Sequence, residues 1–171
     1  TESNAWQYIW SVQHDINGLI SLFGSNERFN SKLDTFFEMD PSITGPKYIG
    51  VVGTIGQYVH GNQPSHHVAY LYDYSGQPWK TQERVREICE KLYKPGPGGL
   101  CGNEDMGSLS SWYVFSSMGF YPVTPGSTDY ATGSPLFGEV INHNDNGKPF
   151  IIKATNNSGN NKYIQSATLN G

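Results

Sequence analysis

The sequence predicts a mainly α-helical fold with an antiparallel β portion appended at its C-terminal end. Three observations lead to this class. Up to about Val123, apolar residues recur at helical spacing between long polar loops. After Pro122 the pattern changes to alternation. Within that second part, Asp145-Asn146-Gly147 separates two strand-like runs, a strong hairpin signal. Helices joined by polar loops and followed by antiparallel strands imply an α toroid or bundle with a β-sandwich appended, divided into residues 1–123 and 124–171.

The elements follow in order. Asp15 to Phe23 reads as a short helix that Gly24 stops with a left-handed cap. Phe29, Leu33, Phe36 and Phe37 fall on one face of the next helix, which ends before Pro41 and Pro46. A helix through His66 to Tyr72 stops near Gly76, and another starts after Thr81. The latter buries Val85, Ile88 and Leu92 and turns Arg84, Arg86, Glu87 and Glu90 outward; Cys89, on its apolar side, is expected to be a buried free thiol. The cluster Pro95-Gly96-Pro97-Gly98-Gly99 breaks the chain before a polar loop, Gly102 to Asp105. The helix from Leu109 to Met118 is apolar nearly all round and is expected to be buried. Strands are expected at Phe137 to Ile141, Phe150 to Ala154 and Tyr163 to Ala167.

Composition narrows the function. The 171 residues are only 15% charged but 13% aromatic, with 11 tyrosines and 4 tryptophans, which excludes a disordered chain. A net charge of −4 and the lack of a Lys/Arg stripe argue against a nucleic-acid partner. No apolar run reaches the roughly 20 residues needed to span a membrane. Aromatic residues mixed with Asn, Gln and His suit a sugar, whose C–H face stacks on rings while its hydroxyls need planar donors and acceptors. The abrupt start and end of the pattern read as a fragment of a larger protein.

Two carboxylates stand out. Glu2 lies beside Trp6, Tyr8 and Trp10, where desolvation favours the protonated form that a general acid needs; alternatively it is an exposed chain end. Asp105 precedes the 109–118 helix, where it serves either as a helix cap or as a base activating water, or offers oxygen ligands to a hard cation. The stretch His60-Gly61-Asn62-Gln63-Pro64-Ser65-His66-His67 brings three histidines together, but adjacent His66 and His67 point to different faces and lack the spacing of a helical zinc site. Hydrogen bonding to ligand hydroxyls or packing in the core suits them better.

Thr1-Glu2-Ser3-Asn4-Ala5-Trp6-Gln7-Tyr8, His14-Asp15, His60 to His67, Gly102-Asn103-Glu104-Asp105-Met106-Gly107 and Gly119-Phe120-Tyr121-Pro122 together resemble glycoside hydrolase family 92, in the right order and over essentially the whole chain. That resemblance implies a calcium-dependent, inverting exo-α-mannosidase built on an (α/α)6 toroid followed by a β-sandwich. It implies that Glu2 is the general acid and Asp105 the general base, with Asn62, Gln63, Trp6, His60 and Asn103 lining the sugar site. Asn103 and Asp105 are the candidate calcium ligands. Ser3 stands where Gly is more usual, which is expected to tighten the loop beside the acid. Asn62-Gln63 stands where members specific for α-1,2 links tend to have His-Glu, implying a different or broader linkage preference. The family further implies a mannose-containing glycan as partner, together with the remaining segments of the parent enzyme, and a secreted, periplasmic or cell-surface location in a microbe. The competing expectations are a non-catalytic carbohydrate-binding fragment and a relative that cleaves mannose phosphodiesters.

Overall fold

The computed structural model describes residues 3–42, 48 and 50–171. Those residues form helices and three small antiparallel sheets.

The N-terminal helices begin where side chains satisfy their free N–H groups. In α1 (Ala5–Tyr8), a single turn, Asn4 accepts from the Trp6 N–H at 2.8 Å, while Gln7 Oε1 accepts from the Asn4 N–H at 2.9 Å, a reciprocal capping box. In α2 (Ile16–Phe23), Asp15 accepts from the Gly18 N–H at 2.9 Å, and Gly24 ends the helix at a φ of 86°. Ser25 caps α3 (Asn26–Glu38), which buries Phe29, Leu33, Phe36 and Phe37 as its spacing predicts.

Four expectations about the later helices are corrected. The segment 66–72 is not one helix. Two 3₁₀ turns, Gln63–Ser65 and Val68–Tyr70, precede a short α4 (Leu71–Tyr74), because the first turns close with i→i+3 bonds such as His66 N to Gln63 O. Helix α5 (Pro78–Leu92) begins before Thr81, with Pro78 in the first turn, where its missing N–H costs nothing. Arg86 on α5 is 5% exposed rather than outward, since its guanidinium donates to Ser134 Oγ at 3.0 Å and Asn157 Oδ1 at 2.8 Å. Helix α6 (Ser108–Met118) is one-sided: it buries Leu109, Trp112, Ser116 and Ser117 but leaves Val114 52% exposed. Cys89 is buried and free, as expected.

Strands β1 (Thr54–Ile55) and β2 (Tyr58–Val59) form a two-residue ladder inside the region read as helical. Strands β3 (Phe120–Tyr121) and β4 (Ala131–Thr132) pair after α6. The expected hairpin is β5 (Glu139–His143) with β6 (Pro149–Lys153), Ile141 opposite Ile151, its turn closed by Gly147 N to Asn144 O at 3.0 Å. Residues 163–167 form no strand. The core is aromatic: Trp10 packs edge-on to Phe29, Phe37 lies against Tyr58, and Trp112 stacks on Tyr93. Among the described residues no helix is long and apolar enough to cross a membrane.

Candidate active site

Asp105 lies in a loop of unusual backbone. Glu104, Asp105 and Met106 all have positive φ (65°, 41° and 57°), a left-handed conformation that ordinary residues avoid. Three such residues in succession persist only where their surroundings fix them, as happens at functional sites. The fixing group is Glu104. Its carboxylate accepts from the Ser110 N–H at 3.1 Å and the Ser110 hydroxyl at 2.7 Å, satisfying a free donor in the first turn of α6. Negative charge at that helix end is also favoured by the helix dipole. Glu104 therefore does the capping, and the capping alternative for Asp105 falls away. The Asp105 side chain is exposed.

Asp105 Oδ2 instead accepts from Gln63 Nε2 at 2.6 Å, and the same amide donates to Ser108 Oγ at 3.0 Å. The Ser108 hydroxyl in turn donates a hydrogen bond to Glu104 O at 3.0 Å. Gln63 reaches this loop because two glycines let the backbones touch. A Cβ on Gly102 would sit 2.8 Å from both Gly61 Cα and Gly61 O, and one on Gly61 would collide with Val52.

The histidines lie beneath this surface, which corrects the place expected for His60. It is 0% exposed, with Nδ1 2.6 Å from Tyr58 Oη and Nε2 2.6 Å from Tyr93 Oη. Tyr93 donates its single proton to Leu109 O at 2.9 Å, so His60 must donate from Nε2 and accept at Nδ1. The chain Tyr58–His60–Tyr93–Leu109 ties β2 to the first turn of α6, and His60 has no nitrogen left for a sugar. His66 bonds His60 O at 3.0 Å and His67 bonds Trp10 O at 2.7 Å. Desolvation lowers all three histidines, His66 to about 4, and keeps them neutral.

Glu2 lies outside the described residues. The segment that follows it is firmly held. Ser3 Oγ donates to Gln7 Oε1 at 2.6 Å, so the serine expected to tighten this loop joins the capping box of α1. Gln7 Nε2 donates to Gln57 O at 2.8 Å, and Gln57 Nε2 donates to Asp40 O at 2.7 Å. Helix α1 packs on the 63–65 turn, which brings the N-terminal segment beside Gln63. Trp6 is half-buried, and the Lys32 ammonium lies 3.5 Å from its ring centroid, occupying one face. Asn62 is half-buried with a side chain that caps nothing, and Asn103 is exposed. The structure thus joins Gln63 to Asp105, places Asn103 two residues away in the same loop, and separates His60 from them. Glu104, Ser108 and Gln57 carry the scaffold without a sequence signal: no standard capping spacing marks Glu104, and Gln57 sits in a stretch without periodicity.

A calcium ion takes six to eight oxygen ligands. Asn103 and Asp105 offer oxygens of the right kind but not the number. Among the described residues no group of three or more His, Cys, Asp or Glu could hold a metal. These residues alone do not form a calcium site.

Residues 1–171 match the glycosyl hydrolase family 92 catalytic domain. An uncharacterized secreted glycosidase of Arthroderma benhamiae is 34% identical over 173 residues, covering 99% of this chain and 20% of that protein. A family 92 α-mannosidase from Bacteroides thetaiotaomicron, solved in complex with mannoimidazole, superposes with a TM-score of 0.89 at 41% identity, over 96% of this chain and 21% of that one. A family 92 inverting mannosidase from the same organism gives a TM-score of 0.79 at 46% identity, over 96% of this chain and 23% of its own. The chain spans about a fifth of the length of these relatives.

Proposed function

This chain belongs to glycosyl hydrolase family 92, and from that membership we propose that the enzyme carrying it removes terminal α-linked mannose from mannosides or N-glycans with inversion. Glu2, protonated, gives its proton to the glycosidic oxygen as the bond from that oxygen to C1 breaks. Asp105 takes a proton from water as the water oxygen bonds to C1 from the opposite face. The observation that supports this reading best is the state of Asp105. Its carboxylate is exposed, freed from capping by Glu104, and aimed by a hydrogen bond from Gln63. Asn62, Gln63, Trp6 and Asn103 would then face the sugar.

In the intact enzyme, residues 1–123 would complete part of an (α/α)6 toroid and residues 124–171 would begin the following β-sandwich. Calcium dependence belongs to this proposal as well, with most ligands drawn from outside the described residues. A secreted or cell-surface location is supported by the secreted glycosidase among the relatives.

The test is hydrolysis of α-mannobioses by the intact protein and by Glu2→Gln and Asp105→Asn. Loss of an acid or base group is expected to lower kcat by about 10²- to 10⁴-fold. Mannose binding without hydrolysis by the wild type would overturn the reading in favour of a carbohydrate-binding role, and full activity in both variants would overturn the assignment of Glu2 and Asp105.

A further inference from the structure

We propose that Gln63 is a positioning residue for the base, locking the Asp105 carboxylate to the 63–65 turn. The inference rests on the reading of Asp105 as general base. Both N–H groups of the Gln63 amide are engaged, one by Asp105 Oδ2 at 2.6 Å and one by Ser108 Oγ at 3.0 Å. The amide therefore presents only Oε1 to a ligand, and its donor side belongs to the base loop.

Gln63 is itself rigidly placed. It starts a 3₁₀ turn with Pro64 next, and the turn is closed by Ser65 N to Asn62 O at 3.1 Å and His66 N to Gln63 O at 3.0 Å. Trp112 Nε1 then donates to His66 O at 2.9 Å, fixing the turn to the buried face of α6. The glycine pair Gly61 and Gly102 sets the separation of the two loops. Among the described residues, Gln63 is the side chain that donates to Asp105. The neighbouring acid, Glu104, is turned to Ser110 and competes for neither amide proton. Gln63 thus differs from an ordinary leaving-group contact: its loss is felt by the water-activating step whatever the leaving group is.

α-Mannosyl fluoride separates the two roles. Its C–F bond breaks with fluoride taking the electron pair, so no sugar occupies the leaving-group position and no proton donor is needed. Water must still bond to C1 and lose its proton to Asp105. In the intact enzyme, Gln63→Met keeps the side-chain length without the donors. For Gln63→Met, kcat is expected to fall by about 10- to 100-fold on both the fluoride and mannobiose, as for a base displaced by a fraction of an ångström to an ångström. KM for the fluoride should stay within about threefold, since that substrate loses no ground-state contact. Ser108→Ala, which removes the second anchor, should show a smaller loss on both substrates. A loss confined to mannobiose, with wild-type turnover of the fluoride, would overturn the proposal and leave Gln63 as a leaving-group contact. An Asp105→Asn enzyme with wild-type activity on the fluoride would instead overturn the underlying assignment of the base.

Discussion

Replacing Glu104 with alanine removes the contact that holds the base loop in its left-handed form. At about 1–2 kcal/mol per residue, three consecutive positive-φ residues store roughly 3–6 kcal/mol. The Glu104 carboxylate opposes this with two bonds to Ser110, each worth about 1.5–3 kcal/mol when an ion is involved, and the half-exposed setting places them near the lower figure. Glu104→Ala therefore forfeits about 3 kcal/mol of local support while leaving the strain, since alanine dislikes positive φ as much as glutamate does. The loop relaxes, and Asp105 moves with it. We expect kcat on mannobiose to drop by about 10- to 100-fold. Because the relaxing loop sheds part of its strain, the net cost to stability is that of a lost helix cap, about 0.5–2 kcal/mol, and the fold survives. Glu104→Gln, which keeps weaker neutral bonds, should fall between wild type and alanine. Steady-state kinetics together with a thermal melt of the intact protein distinguish these effects. A Glu104→Ala enzyme with kcat within twofold of wild type, or one whose activity falls only in step with its melting, would refute the idea that this cap sets the geometry of the base.

Two further predictions concern the scaffold. The Asp73 carboxyl is pushed up to about 7 by burial, which outweighs the opposing pull of the Thr81 hydroxyl and the Thr132 backbone, and neither carboxylate oxygen has a full hydrogen bond. A folded-state value raised above the unfolded one means that its stabilising contribution is present below about pH 4 and is lost as pH rises through about 7. Asp73→Asn should therefore leave stability at pH 4 nearly unchanged and raise it at pH 8 by on the order of 2–4 kcal/mol; equal melting shifts at both pH values would contradict this. Gly61→Ala should drive the 60–63 and 101–106 loops apart, because its Cβ collides with Val52 and meets Cys101 O at 3.3 Å. The expected cost is about 1–3 kcal/mol of stability with a larger fractional loss in kcat, checked by melting and kinetics on the same preparation.

The helices and the hairpin were legible because each has a local signature. The apolar face Phe29, Leu33, Phe36, Phe37, the left-handed cap at Gly24 and the turn ending at Gly147 all declare themselves within a few residues. What escaped notice depends on distant partners. Arg86 has the spacing of an outward residue, yet Ser134 and Asn157 draw it inside from 48 and 71 residues away. His60 has the composition of a ligand contact, yet its two tyrosine partners bury it. Strands β1 and β2, two residues each, are too short to show a period. The site was legible in part: Asp105 and Gln63 stood out as residue types, but their meeting depends on the Gly61–Gly102 contact, and the motif resemblance rather than spacing separated Asp105 from the other acids.

The most direct test of the account is a crystal structure of the intact enzyme with a mannose-like inhibitor, read for the separation of the Glu2 and Asp105 carboxyl groups. We expect about 6.5–9.5 Å, with the two groups on opposite sides of C1 and a water held against Asp105. A separation of about 5–5.5 Å, or an Asp105 turned away from the sugar, would contradict it.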